Sequence, residues 1–135
     1  MDVTLETTWR AAVAVRNHAY APYSGYRVGA AVRVTGVADP VAGCNVENAS
    51  YGGTLCAERV AITRAIAGHG PRIHLEHLVL VTETPAPPCG LCLQVLSEFV
   101  SGDFPIYTAT PNGVHTRYTL DALLPVRFQP ENLKK

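Results

Sequence analysis

The stretch Cys56–Val100, CAERVAITRAIAGHGPRIHLEHLVLVTETPAPPCGLCLQVLSEFV, decides the architecture of this chain. It reads as helix, strand, helix. The first helix runs from about Cys56 to Ala67 and is stopped by Gly68 and Gly70. His74 to Thr82 carries Leu78-Val79-Leu80-Val81 and reads as a central strand. Thr84 to Pro88 cannot lie inside a helix, because Pro85, Pro87 and Pro88 crowd it. A second helix follows, from about Cys89 to Val100. Its Cys92, Val95, Leu96, Phe99 and Val100 fall at i, i+3, i+4, i+7 and i+8, which makes one apolar stripe.

On the N-terminal side, Leu5, Trp9, Ala12, Val13 and Ala19 share a helical face, ended by Pro22 and Gly25. Val28–Val34 and Val41–Val46 read as strands around a short turn at Gly36–Pro40, hence an antiparallel hairpin. A loop from Glu47 to Thr54 leads into the first quoted helix. On the C-terminal side, Ile106–Thr110 and Thr116–Leu120 flank Pro111-Asn112-Gly113, a second hairpin signal, and a helical turn follows at Leu120–Leu124. The order α-β-β-α-β-α-β-β predicts an α/β protein with helices on both faces of one sheet. The β-α-β-α-β run predicts parallel central strands joined by right-handed crossovers, with the terminal hairpins adding antiparallel edges. No linker, repeat or low-complexity tract divides the chain, so residues 1–135 read as a single domain.

Basic and acidic side chains number eleven each, for a formal net charge of zero. A nucleic-acid binder carries a basic surplus to neutralise phosphates, and none is present. The balance favours a small neutral ligand. No apolar run is long enough for a transmembrane helix, so no membrane partner is expected. The N-terminal MDVTLETTWR is polar and acidic, unlike a secretory signal. A cytoplasmic protein is the expectation, and there four cysteines read as metal ligands or redox thiols before disulfides.

Cys89 and Cys92 stand at i, i+3 at the start of one helix, so both sulfurs can face one point. Cys56 opens the other helix. Helix N-termini favour thiolates, the form that binds zinc. Three sulfurs leave the fourth tetrahedral position open, as a catalytic zinc requires. Zinc in such a site lowers the pKa of a bound water toward neutrality. Glu58, two residues past Cys56, lies close to the metal without binding it. It can take a proton from that water and pass it to a reacting group nearby. Three thiolates on one Zn2+ leave a net negative charge. Arg59 could offset it by donating hydrogen bonds to the sulfurs.

Two other readings of the cysteines stand beside this one. Cys89-Gly-Leu-Cys92 after a strand also suits a thioredoxin-like redox pair. That reading leaves Cys56 and Glu58 without a role. A structural zinc would need a fourth ligand. Cys44 could supply it, but it sits among apolar residues of a predicted strand, where a buried free cysteine is ordinary. His74 and His77 point to opposite faces of a strand, and His18, His69 and His115 read as surface or loop residues.

Four separated motifs then make the chain resemble the small, homotetrameric, zinc-dependent cytidine deaminases. They are Tyr20-Ala-Pro-Tyr-Ser followed by Val28-Gly-Ala, Gly43-Cys-Asn-Val-Glu-Asn-Ala, Cys56-Ala-Glu-Arg, and Pro88-Cys-Gly-Leu-Cys-Leu-Gln. A water-activating zinc held by three cysteines, with a non-ligating Glu as acid and base, is the arrangement described for zinc deaminases as a class. The resemblance implies a three-layer α-β-α fold with a mixed five-stranded sheet. It implies one Zn2+ per chain on Cys56, Cys89 and Cys92, and Glu58 as the proton shuttle. The implied reaction is hydrolytic deamination of cytidine and 2'-deoxycytidine to the uridines, with release of ammonia, in pyrimidine salvage.

Asn45 and Glu47 match the pair that hydrogen-bonds the ribose 3'-hydroxyl. Tyr26 matches an aromatic that packs on the nucleoside, usually Phe. The Ala57 backbone would hold the pyrimidine carbonyl. Tyr51 and Phe128 match aromatics lent across subunit boundaries of a homotetramer with shared active sites. Leu93 and Val60 depart from the usual Arg and Thr. A related deaminase acting on a blasticidin S-type nucleoside antibiotic is the nearest alternative. The Asn45/Glu47 pair favours an ordinary nucleoside.

Overall fold

The computed structural model describes residues 2–134. Helix α1 spans Val3–Arg16, and the Asp2 side chain caps it by accepting from the Leu5 amide at 2.8 Å. Strands β1 (Gly29–Val34) and β2 (Val41–Cys44) form the first hairpin. After a 3-10 turn at Tyr51–Gly53 come α2 (Ala57–His69), β3 (Leu75–Val81) and α3 (Gly90–Ser97). Strands β4 (Pro105–Thr110) and β5 (Gly113–Thr119) form the second hairpin, followed by the short α4 (Leu120–Leu123) and a 3-10 turn at Pro130–Leu133.

The five strands lie in the order β2-β1-β3-β4-β5. Side chains alternate across the sheet and build two cores. Ala30, Val32, Leu78, Leu80 and Ile106 face one side, where Ala61, Ile62 and Ala65 of α2 and Leu93 and Leu96 of α3 cover them. Ala31, Val79, Val81 and Ala109 face the other, beneath Leu5 and Ala12 of α1. The result is an α-β-α sandwich. On the α1 side, Trp9 donates its indole N–H to the Thr110 carbonyl at 2.9 Å. His77 lies buried against the Thr8 hydroxyl at 2.8 Å and is pushed below the usual histidine pKa by burial.

One topological expectation needs correction. The β-α-β-α-β run does give strands of one direction, β2, β3 and β4, but only β3 and β4 are parallel neighbours. Strand β1 lies between β2 and β3 and is antiparallel to both, so the first hairpin adds an edge in β2 alone. Ala30, Ala31 and Val32 are fully buried, as an interior strand covered on both faces must be. Strand β2 also stops at Cys44, short of Val46. Val46 instead exchanges backbone hydrogen bonds with Leu55 at 2.9 Å. Helix α3 ends at Ser97 rather than Val100, while Phe99 and Val100 still pack on the core. Leu93 replaces the arginine of the resembling family with an apolar side chain that is 5% exposed within that core.

Helix α2 reaches the sheet through Gly43. A Cβ there would lie 2.5 Å from the Ala61 nitrogen and 2.9 Å from the Ala57 carbonyl, so backbone packs on backbone. Gly43→Ala should therefore push α2 off β2 and lower stability by about 1–3 kcal/mol. Gly52→Ala, with nothing within 4 Å of the added carbon, should stay within about 0.5 kcal/mol of wild type. Urea denaturation of the two variants checks the contrast.

Candidate active site

The helices α2 and α3 start close together beside the C-terminal end of β3. Their N-cap residues are Cys56 and Cys89, and neither side chain caps its own helix. The sulfurs are thus free to point elsewhere. Cys92, one turn into α3, completes the group. The three sulfurs lie within 4.8 Å of one another, with 3.4 Å between those of Cys89 and Cys92. No other group of at least three Cys, His, Asp or Glu side chains with this geometry occurs among the described residues. Cys44, half-buried at the end of β2, stands outside it.

Packed this closely, the thiols cannot all ionise by themselves. The hydrogen bond from Cys92 pulls the Cys56 thiol down to about 5, against the cost of burial and with help from Arg59. Cys92 is pushed up by the same contact and by burial. A divalent cation at the centre of the three sulfurs would replace their protons and remove the repulsion, so the donor set fits zinc. Arg59 supports this fit: its Nη2 donates to Cys56 Sγ at 3.5 Å and to the Thr54 carbonyl at 3.2 Å. Its Nε is buried without a hydrogen-bond partner among the described residues.

A cavity of about 260 Å3 opens over the cysteines. It lies near the small end of the ~300–1,000 Å3 typical of small-molecule sites. Cys56, Ala57, Glu58 and Cys89 form part of its lining. Glu58 is 5% exposed. Burial, helped by the negative charge of Cys56, pushes its carboxyl up to about 7. Ala57 is fully buried in the first turn of α2, where helix amides lack intrahelical acceptors.

Asn45, Glu47 and Tyr26 line the same cavity. Asn45 is tied to another lining segment: its Nδ2 donates to the Tyr26 carbonyl at 2.7 Å, and its Oδ1 accepts from the Val28 amide at 2.9 Å. Glu47 accepts from the Tyr23 and Ser24 amides at 3.0 and 3.1 Å and from the Ser24 hydroxyl. That hydroxyl bond is the main reason its pKa falls below the usual carboxylate value. Glu47 therefore carries charge where Glu58 resists it. Ser24 Oγ also accepts from the Tyr26 amide at 3.0 Å, which links the carboxylate to the aromatic.

Tyr51 and Phe128 do not join this cavity within the chain. Tyr51 is 79% exposed, edge-on to Tyr23 at 6.4 Å between ring centroids. Phe128 lines a separate groove beside α3, where Gln94 Nε2 donates to its carbonyl at 2.8 Å. Sequence reading missed Ser24, Thr54, Thr82, Ala86 and Pro87. Thr82 had a usable signal, because ligands of open α/β sheets sit beyond the carboxyl ends of strands. Ser24 closes the Tyr20–Ser24 motif, but its role was hidden because its partner Glu47 lies far along the chain.

Residues 3–108 match the family model of the cytidine and deoxycytidylate deaminase zinc-binding region. The chain is 38% identical over 122 residues to a cytidine deaminase of Halalkalibacterium halodurans, covering 90% of this chain and 92% of that one. It is 39% identical over 118 residues to one from Sporosarcina psychrophila, covering 87% and 86%. Its fold superposes on the crystal structure of cytidine deaminase from Burkholderia pseudomallei with a TM-score of 0.84 and 37% identity, over 95% of this chain and 100% of that one. With the five-stranded sandwich and the convergent cysteines in place, these matches show that the chain belongs to the zinc-binding cytidine and deoxycytidylate deaminase family.

Proposed function

We propose that this chain deaminates free cytidine and 2'-deoxycytidine to the corresponding uridines, releasing ammonia, with one zinc per chain on Cys56, Cys89 and Cys92. The observation that carries the reading is a buried carboxyl, Glu58, beside the three convergent sulfurs at one small cavity. The same cavity favours a nucleoside over a nucleotide. Among the described residues of this chain no Lys, Arg or His lines it, and Glu47 adds a negative charge. These walls offer a 5'-phosphate no cation and one repulsive carboxylate. The reaction runs in the cytosol, where the four free cysteines stay reduced, and the whole chain acts as a single domain.

Zinc, when bound, supplies the Lewis acid that makes water nucleophilic near neutral pH. Glu58 accepts the first proton that water gives up and hands it to ring N3. It then takes the second, from the hydroxyl added at C4, and hands it to the amine. The amine leaves as ammonia as the C4–N bond breaks, because an amide ion is a poor leaving group. A carboxyl poised near 7 suits both acceptance and donation. The Ala57 amide holds the pyrimidine carbonyl and the Tyr26 ring packs on the nucleoside. Asn45 keeps one N–H and one lone pair beyond its two backbone bonds. Asn45 and Glu47 anchor the ribose hydroxyl, with Glu47 oriented by Ser24. Arg59 balances the charge of the sulfurs. The working unit is a homotetramer in which Tyr51 and Phe128 close a neighbour's cavity. Their exposure, and their absence from the lining of their own cavity, support that arrangement.

Metal analysis of wild type and of Cys44→Ala should give about one zinc per chain, while Cys89→Ala should lose it. Equal loss in both variants would point to a structural site. Glu58→Gln should keep zinc and fold yet lower cytidine turnover by at least about a hundred- to ten-thousand-fold, read as the loss of cytidine absorbance. Near-normal turnover would remove Glu58 from the mechanism. Mixed Glu58→Gln and Phe128→Ala chains should regain activity that neither has alone, because some sites then receive both intact groups. An active monomer by light scattering would refute site sharing.

A further inference from the structure

Strands β1 and β3 pair up to Gly29↔Val81, and there the ladder stops. Val28 and Thr82, the next residues in that register, line the cavity instead. The cavity thus occupies the place where two neighbouring strands separate. One further step in register sets Arg27 opposite Glu83. Arg16, the last residue of α1, spans this step. Its Nε donates to the Arg27 carbonyl at 3.0 Å, and its Nη2 donates to Glu83 Oε2 at 3.0 Å. The arginine side chain is 17% exposed, the glutamate 81%. Gly29 lets α1 come this close, since a Cβ there would lie 2.8 Å from the Arg16 Cβ.

Both ends of this bridge adjoin walls of the cavity: Arg27 lies between the lining residues Tyr26 and Val28, and Glu83 follows the lining residue Thr82. On one side the segment Tyr26–Val28 is held by Asn45 at its first carbonyl and last amide, and by Arg16 at the carbonyl between them. On the other side, Glu83 follows Thr82, whose hydroxyl donates to the Thr84 carbonyl at the start of the strip that leads to Cys89. Apart from that bond, no backbone hydrogen bond outside helices and strands involves residues 83–88 among the described residues. A guanidinium suits the span, because its planar fork sets a fixed distance between two donors.

We infer that Arg16 is a positioning residue that sets the width of the cavity where β1 and β3 separate, and so tunes affinity for the pyrimidine nucleoside. The inference rests on the reading of this cavity as a nucleoside site. Arg16 lines no part of it and acts through the two walls.

The test uses full-length, zinc-loaded protein with cytidine turnover, uridine binding by calorimetry, zinc content and melting temperature. Arg16→Met should raise KM for cytidine and Kd for uridine by about tenfold, with kcat within about threefold and zinc retained. Arg16→Lys should recover part of the loss, since it keeps the charge without the fork. Glu83→Ala, a surface change, should raise both constants by about two- to threefold. A lower melting temperature with wild-type KM and Kd would make Arg16 a stability residue only and overturn the inference. If Arg16→Met does not fold, unchanged constants in Glu83→Ala overturn it instead. Failure of the nucleoside reading would show in the wild type, which would then neither bind uridine nor deaminate cytidine. Failure of the Arg16 inference alone would show only in the variants.

Discussion

Two helices must begin at one point, and the site depends on that constraint. The N-termini of α2 and α3 each carry partial positive charge, and bringing them together is unfavourable unless something negative lies between them. Cys56 and Cys89, as their N-cap residues, place sulfur there. Sulfur that is free of capping can ionise, and clustered thiolates in turn call for a cation. The glycine contact at Gly43 seats α2 on β2, and Leu93 and Leu96 seat α3 on the sheet. The apolar core therefore places the helix starts, and the starts place the sulfurs.

Two carboxylates then divide the cavity between them. Glu58 is buried beside sulfur and resists charge. Glu47 sits under the donors of Tyr23 and Ser24 and keeps its charge. One glutamate can carry a proton while the other stays a fixed acceptor. Environment, not residue type, assigns those parts.

Much of this was legible from local spacing. Cys56, Glu58, Cys89 and Cys92 could be placed from helix starts alone, because an i, i+3 pair at a helix N-terminus admits few geometries. Asn45 and Glu47 came from resemblance, and the structure puts both at the cavity. The position of β1 was not legible. A hairpin can join a sheet by either strand, and only packing on both faces selects the interior one. The continuous Gly29-Ala-Ala-Val32 run, with no polar alternation, was the available hint. Arg16 and Ser24 escaped for another reason. The partners that matter to the site, Glu83 and Glu47, are distant in the chain, so no side-chain spacing encodes them.

The strip Thr84-Pro85-Ala86-Pro87-Pro88 that forms one wall has a further consequence for how the cavity keeps its shape. Three of its five residues lack an amide hydrogen, so it could not join a ladder even if a strand lay beside it. Ring closure limits its backbone before folding begins, and less conformational entropy is lost when it becomes ordered. The wall's rigidity is thus written into the unfolded chain rather than borrowed from the sheet. Exchanging Pro85 and Pro88, which do not line the cavity, for alanine would favour the disordered state by giving it more conformational entropy, and the strip would open more readily.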